Sequence, residues 1–130
     1  MESLISLFKA EPFKKEYDLN GAKITLQMLS RKEYDDVMSR ANISADDIVS
    51  KEALLRRPVL GYALKSVNGV NVKDIKEVKD ALEKNPNISV NLAVEKVLGD
   101  FDAFFVDGMY ALYNQLVEDD AKNREELKKD

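Results

Sequence analysis

The chain has no cysteine and no histidine. Without cysteine there is no disulfide and no thiolate metal site, and the composition fits a reducing compartment. Without either residue the commonest general base, the commonest metal ligand and the best nucleophile are missing, which leaves carboxylates, lysine, tyrosine or serine for any catalysis. Glycines are few, and two of them stand in Asn-Gly pairs at Asn20-Gly21 and Asn68-Gly69. No G-x-x-x-x-G-K-[ST], G-x-G-x-x-G or D-x-D-x-D-G pattern occurs, so nucleotide and calcium loops have no motif. No apolar run approaches the roughly 18 residues that cross a bilayer. The start, MESLISLFKAEPF, lacks the basic region and small-residue cleavage site of a signal peptide, and the expectation is a cytoplasmic protein with no membrane partner.

The charges present do not assemble a site by spacing. Asp35-Asp36, Asp46-Asp47 and Asp119-Asp120 are sequence neighbours, which on a helix point about 100° apart and read as helix-start charge or solvated surface. The basic doublets Lys14-Lys15, Arg56-Arg57 and Lys128-Lys129 lie far apart among acidic residues. A net charge of -4 disfavours a nucleic-acid partner. The reading is therefore a non-enzyme, with no catalytic residue, no metal ligand and no cofactor expected.

The 130 residues, 45% of them apolar, fit one domain with a real core. Met1, Leu4, Ile5 and Phe8 predict a short N-terminal amphipathic helix within residues 1–12, ended by Pro12, which must dock on its own core or on a partner. Next, FKKEYDLNGAKITLQM predicts a hairpin, because Asn-Gly favours a two-residue type I′ turn. That turn sets Leu19 opposite Ala22, Tyr17 opposite Ile24, Lys15 opposite Leu26 and Phe13 opposite Met28. The other face pairs Asp18 with Lys23, Glu16 with Thr25 and Lys14 with Gln27. Two strands alone are unstable, so helices must cover the apolar face.

Ser30 and Glu33 form a capping box for a helix with a Tyr34, Val37, Met38, Ala41 stripe. Ser44 or Asp46 starts another helix that reaches Leu54 and Leu55, and Pro58 either kinks it or opens a fresh one. Val59, Leu60, Tyr62, Ala63, Leu64 and Val67 are apolar over a wide arc, which predicts a central buried helix. Asn68-Gly69 then reverses the chain, either as a helix C-cap or as a second hairpin with Val67 opposite Val70 and Ser66 opposite Asn71. Asp74 is a cap candidate for a helix with an Ile75, Val78, Ala81, Leu82 stripe, and Ser89 or Asn91 for a short helix through Val94 and Leu98.

The last helix is the best defined. Phe101, Phe104, Phe105, Met109, Leu112, Leu116 and Val117 fall at helical spacing, with Gly108 inside the pattern, where a glycine often permits close helix approach. Such a stripe is ordinarily core, but phenylalanine and methionine are enriched at interfaces, so Phe101, Phe104, Phe105 and Met109 are the candidate partner-binding residues. Residues 13–118 form the expected core, and 119–130 a charged C-terminal extension. The fold class is α+β, mainly helical, with an N-terminal β-hairpin.

This succession resembles the tail assembly chaperones of tailed bacteriophages and the related proteins that help assemble baseplate hubs. Members tend to carry a strand pair with a G-x-x-I-T-L-R-x-L-S flow, here GAKITLQMLSRKEY, and a middle segment similar to L-x-x-S-I-x-x-I-N-G, here YALKSVNGVNV. A later helix resembles V-x-x-L-x-x-A-Y-x-x-L, here VDGMYALYNQLVED, with Met109, Leu112, Tyr113, Leu116 and Val117 at the matching places. The likeness spans residues 13 to 118 and departs from the pattern at Phe104-Phe105 and Gly108. It implies a protein that binds phage tail proteins, notably the tape measure protein or a baseplate hub component, in the host cytoplasm and leaves before the virion is complete. A structural subunit of tail, baseplate or neck and a small regulatory adaptor are the alternatives. Homo-oligomerisation is left open.

Overall fold

The structure, a computed structural model, describes Ser3 and residues 11–41 and 52–128. The expected N-terminal stripe Met1, Leu4, Ile5, Phe8 and the cap candidates Ser44 and Asp46 lie outside the described residues. Strand β1 (Lys14–Leu19) pairs antiparallel with β2 (Ala22–Gln27) in the register that the first Asn-Gly turn dictates, Leu19 opposite Ala22 through Lys14 opposite Gln27. The Met28 amide donates to the Phe13 carbonyl at 2.8 Å, extending the ladder by one pair. Asn20 and Gly21 both take positive φ, 53° and 86°, as a type I′ turn requires. Ile24 and Leu26 are fully buried on the inner face of the sheet.

Helix α1 (Arg31–Ala41) starts with the capping box: the Glu33 amide donates to Ser30 Oγ at 3.2 Å and the Ser30 amide to Glu33 Oε1 at 2.9 Å. Helix α2 (Glu52–Ala63) runs through Pro58 without restarting there. The central helix was expected to continue through Leu64 and Val67; instead it stops at Ala63, and Leu64–Val67 is strand β3. The reason is the free edge of β2. Its outward backbone groups need partners once the strand is buried, and β3 supplies them, with Ile24 opposite Val67 and Thr25 opposite Ser66.

The second Asn-Gly pair is therefore a hairpin. Val67 faces Val70 and Ser66 faces Asn71 of β4 (Val70–Asn71), while Asn68 and Gly69 take φ of 50° and 82°. The four antiparallel strands stand in the order β1-β2-β3-β4. A 3-10 turn (Val72–Asp74) leads to α3 (Lys76–Lys84). Asp74 does not cap α3; it lies in the turn, where Asn71 Oδ1 accepts from the Lys73 amide at 3.1 Å, and Ile75 occupies the cap position. Ser89 holds the cap position of α4 (Val90–Leu98), but its hydroxyl meets Asn91 Oδ1 instead of a backbone amide.

The final helix, α5 (Ala103–Lys128), packs against β1, β2 and α2. Leu60, Ala63, Val94, Met109 and Leu116 join Ile24 and Leu26 in the main core, and Val37, Leu55 and Val59 form a smaller cluster beside it. The stretch expected as a charged extension begins with two residues held by the fold. Asp119 Oδ2 accepts from the Tyr17 hydroxyl at 2.7 Å and from Lys15 Nζ at 3.1 Å, and Asp120 is buried against Arg124.

Two helical glycines do different work. A Cβ at Gly61 would stand 2.7 Å from the Asn91 carbonyl oxygen and 2.8 Å from Glu95 Cγ, so α2 and α4 cross at a distance only glycine allows. A Cβ at Gly108 would meet nothing nearer than Leu19 Cδ1 at 3.6 Å, an ordinary contact. The expectation that Gly108 permits a close helix approach is thereby corrected. Gly108→Ala is expected to stabilise the fold by up to about 1 kcal/mol through helix propensity. Gly61→Ala is expected to destabilise it by about 1–3 kcal/mol through overpacking. Urea unfolding of the two variants beside the parent checks both signs.

Candidate protein-binding groove

The β3–β4 hairpin, α3, α4 and the start of α5 leave an open groove of about 540 Å³ between them. Its floor is core: Ile24 and Leu64 from the sheet, Val78 from α3, Val94 and Leu98 from α4, and Met109 from α5. Its rim is apolar and wet. Val70 is 47% exposed and Phe101 44%. Phe105 is half-buried and meets Phe101 edge to face, with ring centroids 5.5 Å apart at 78°. Asn68, Asp74, Lys76 and Glu77 are the polar side chains of the wall.

The sequence pattern placed Phe101, Phe104, Phe105 and Met109 on one helical face. The structure brings three of them to the groove and separates the fourth. Met109 is 2% exposed and shapes the floor, whereas Phe101 and Phe105 form an aromatic edge. Phe104 stands outside the groove and is 88% exposed. Phe101 is not helical, because Asp102 caps α5: its Oδ1 accepts from the Phe104 amide at 2.8 Å, and its carbonyl accepts from the amides of Phe105 and Val106. Leu116 is buried, but Val117 is exposed and off the stripe.

Sequence reasoning missed the other half of the site. Val67 and Val70 line the groove because the hairpin makes them cross-strand neighbours, and Ile75, at the cap of α3, and Val97 of α4 complete the wall. The valines around Asn68-Gly69 were the legible signal, since only the hairpin reading puts two of them side by side. A second depression of similar volume runs along another strip of α5, lined by Tyr34, Met38, Leu55, Tyr110, Tyr113 and Val117.

The strongly perturbed titratable groups are structural ties away from the groove. Besides Tyr17 and Lys15, Asp119 accepts from Gln115 Nε2 at 3.0 Å. These bonds, that from Tyr17 first, lower the Asp119 carboxyl to about 2. Burial and then Asp119 push the Tyr17 hydroxyl well above the usual tyrosine range. Tyr62 donates to Asp36 Oδ2 at 2.6 Å; burial and that carboxylate raise it to about 12, and the same bond lowers Asp36. Arg40 Nη1 sits 3.0 Å from Glu95 Oε2, tying α1 to α4. Among the described residues no group of three or more acidic side chains is placed to hold a metal ion, and no helix is long and apolar enough to cross a membrane. What the groove offers chemically is an apolar surface shaped to take apolar side chains.

The ties set a pH profile. Asp119 is depressed from the ordinary ~3.9 to about 2, so its contribution is present above about pH 4 and is lost as pH falls through 2. Tyr62 is raised from ~10 to about 12, so its contribution is full below about pH 10 and is lost as pH rises through 12. Tyr17→Phe removes the largest cause of the Asp119 shift and is expected to move that carboxyl back toward ~4, where an NMR pH titration of the Asp119 side chain reads it. An unchanged Asp119 titration would show that Lys15 and Gln115 suffice. Comparison of the chain with protein-family models, with curated proteins and with solved structures returned no match.

Proposed function

We propose that the protein is a non-enzymatic assembly chaperone of a tailed bacteriophage, which binds tail proteins such as the tape measure protein or a baseplate hub component in the host cytoplasm during morphogenesis. The observation that supports this reading most directly is the groove. A chain of this size leaves core side chains at the bottom of an open channel and places Phe101, Phe105 and Val70 at its lip. Pre-formed apolar channels of this kind receive the apolar stripe of an amphipathic helix, with aromatic side chains as anchors. The phage assignment itself comes from the sequence likeness over residues 13 to 118.

The function follows from differential exposure. A long helical tail protein shows an apolar stripe until other subunits cover it, and unprotected stripes associate with one another. Seating a stretch of that stripe in the groove removes its apolar area from water at roughly 25 cal/mol per Å². The net charge of -4 then keeps the complexes apart in solution. Because the rim is open, the contact can be displaced when tail subunits offer a larger apolar surface.

The test is co-expression with the tape measure protein or a baseplate hub component of the same genome, followed by sedimentation and analysis of finished particles. The expected outcome is a soluble complex with the parent chain, loss of it with Val70→Asp and Phe101→Asp together, and no chain in purified virions. Stoichiometric amounts in purified virions would make the protein a structural subunit instead. An unchanged complex with the double variant would place binding away from the groove.

A further inference from the structure

The groove does not treat all amphipathic helices alike. We infer that its partner is an amphipathic helix whose apolar stripe is flanked by lysine or arginine, an inference that rests on reading the groove as a protein-binding site. The aromatic lip lies in the stretch DFDAFFVD, residues 100–107, where three aspartates interleave with three phenylalanines and no cation intervenes. Phe104, at 88%, is the most exposed large apolar side chain among the described residues, and Phe101 is 44% exposed. A surface that keeps two phenylalanines in water beside aspartates is suited to a partner that brings apolar and cationic groups together.

The ion pairs show which charges are available. Asp107 is matched by Arg56, with Nη1 2.6 Å from Oδ1. Asp100 and Asp102 have no ion pair among the described residues, and the hydrogen bond Asp102 accepts from the Phe104 amide leaves its negative charge in place. Asp74 and Glu77 stand on the groove wall, and Asp80 lines a shallow depression that Phe101 shares with the groove. Against these five carboxylates the same border carries Lys76, Lys84 and Lys96, and Arg57 lines a further depression beside Gly99 and Phe101. The excess is one negative charge, and neither Asp100 nor Asp102 has an adjacent residue of opposite sign in the sequence. A helix with lysines beside its stripe places cations against Asp100, Asp102 and Glu77. A helix with glutamates there meets like charge, which discriminates by repulsion as well as by attraction.

Two synthetic peptides of identical leucine and phenylalanine stripe, one flanked by lysine and one by glutamate, test this by fluorescence anisotropy against the whole chain. Exposed ion pairs are individually weak, so the lysine peptide is expected to bind about five- to tenfold tighter at low salt. The gap is expected to close in about 0.5 M salt, as screening dictates. Asp100→Asn with Glu77→Gln should narrow the gap at low salt, and Phe101→Ser, its fold checked by circular dichroism, should weaken both peptides. Equal affinities, or tighter binding of the glutamate peptide, would overturn the inference and leave the groove reading standing. Binding of the lysine peptide that ignores Phe101→Ser and Val70→Ser would show charge attraction without a seated helix and would also overturn it. Failure of both peptides to bind the folded parent chain would remove the groove reading itself.

Discussion

Burial of β2 is the constraint on which the rest of the structure depends. Once Ile24 and Leu26 are sealed in the core, the backbone groups along both edges of their strand need hydrogen-bond partners. One edge is satisfied locally by β1 through the tight turn at Asn20-Gly21. The other is satisfied by β3, a segment about forty residues away in sequence. That pairing is closed by a reciprocal lock: the Lys23 amide donates to Asn68 Oδ1 at 2.8 Å, and the Asn68 amide donates to the Lys23 carbonyl at 2.7 Å. Asn68 therefore holds two roles. It takes the positive φ of the hairpin and joins that hairpin to β2.

The groove follows from this lock. Extending the central helix past Ala63 would leave β2 half-paired, so the chain changes from helix to strand with no intervening loop. The following hairpin is short, and β4 ends after two residues. The 3-10 turn and α3 then start beside the sheet edge and leave open the channel that Val67, Val70 and Phe105 line. The close crossing of α2 and α4 at Gly61 fixes α4 as the far wall. An open apolar channel costs stability relative to a filled one, because its lining forfeits packing contacts. The charged ties Tyr17–Asp119, Tyr62–Asp36 and Arg40–Glu95 fasten α5, α1 and α4 from outside the core and leave the channel clear.

What the sequence shows plainly is local. The two Asn-Gly pairs, the Ser30–Glu33 capping box and the period-two alternation of β1 and β2 are each decided by residues within a few positions, and the structure bears out the α+β class and the register of the first hairpin. What it hides is decided at a distance. Leu64 and Val67 carry a helical pattern, yet they become strand because β2 needs an edge partner. Phe101 carries the same pattern as Phe105, yet it falls outside the helix because Asp102 is the better cap. The four-residue aromatic set was legible as a set, but its division among floor, lip and solvent depended on where α4 and the hairpin come to lie.

That division bears on how such a surface can both hold and release. A partner seated only on Met109 and Val94 would be gripped in the core and would leave slowly, because affinity differences between related complexes reside mainly in dissociation. A partner held only by Phe104 and its aspartates would be held weakly and screened by salt. This side of the molecule grades from one regime to the other within two turns of α5, from buried Met109 and half-buried Phe105 in the groove to exposed Phe104 outside it. On the proposed reading, a helix would be steered by the acidic aromatic end, seat its stripe against the floor, and be peeled away from the exposed end first. A completely enclosed pocket would lack that order of release, and a flat aromatic patch would lack the seat.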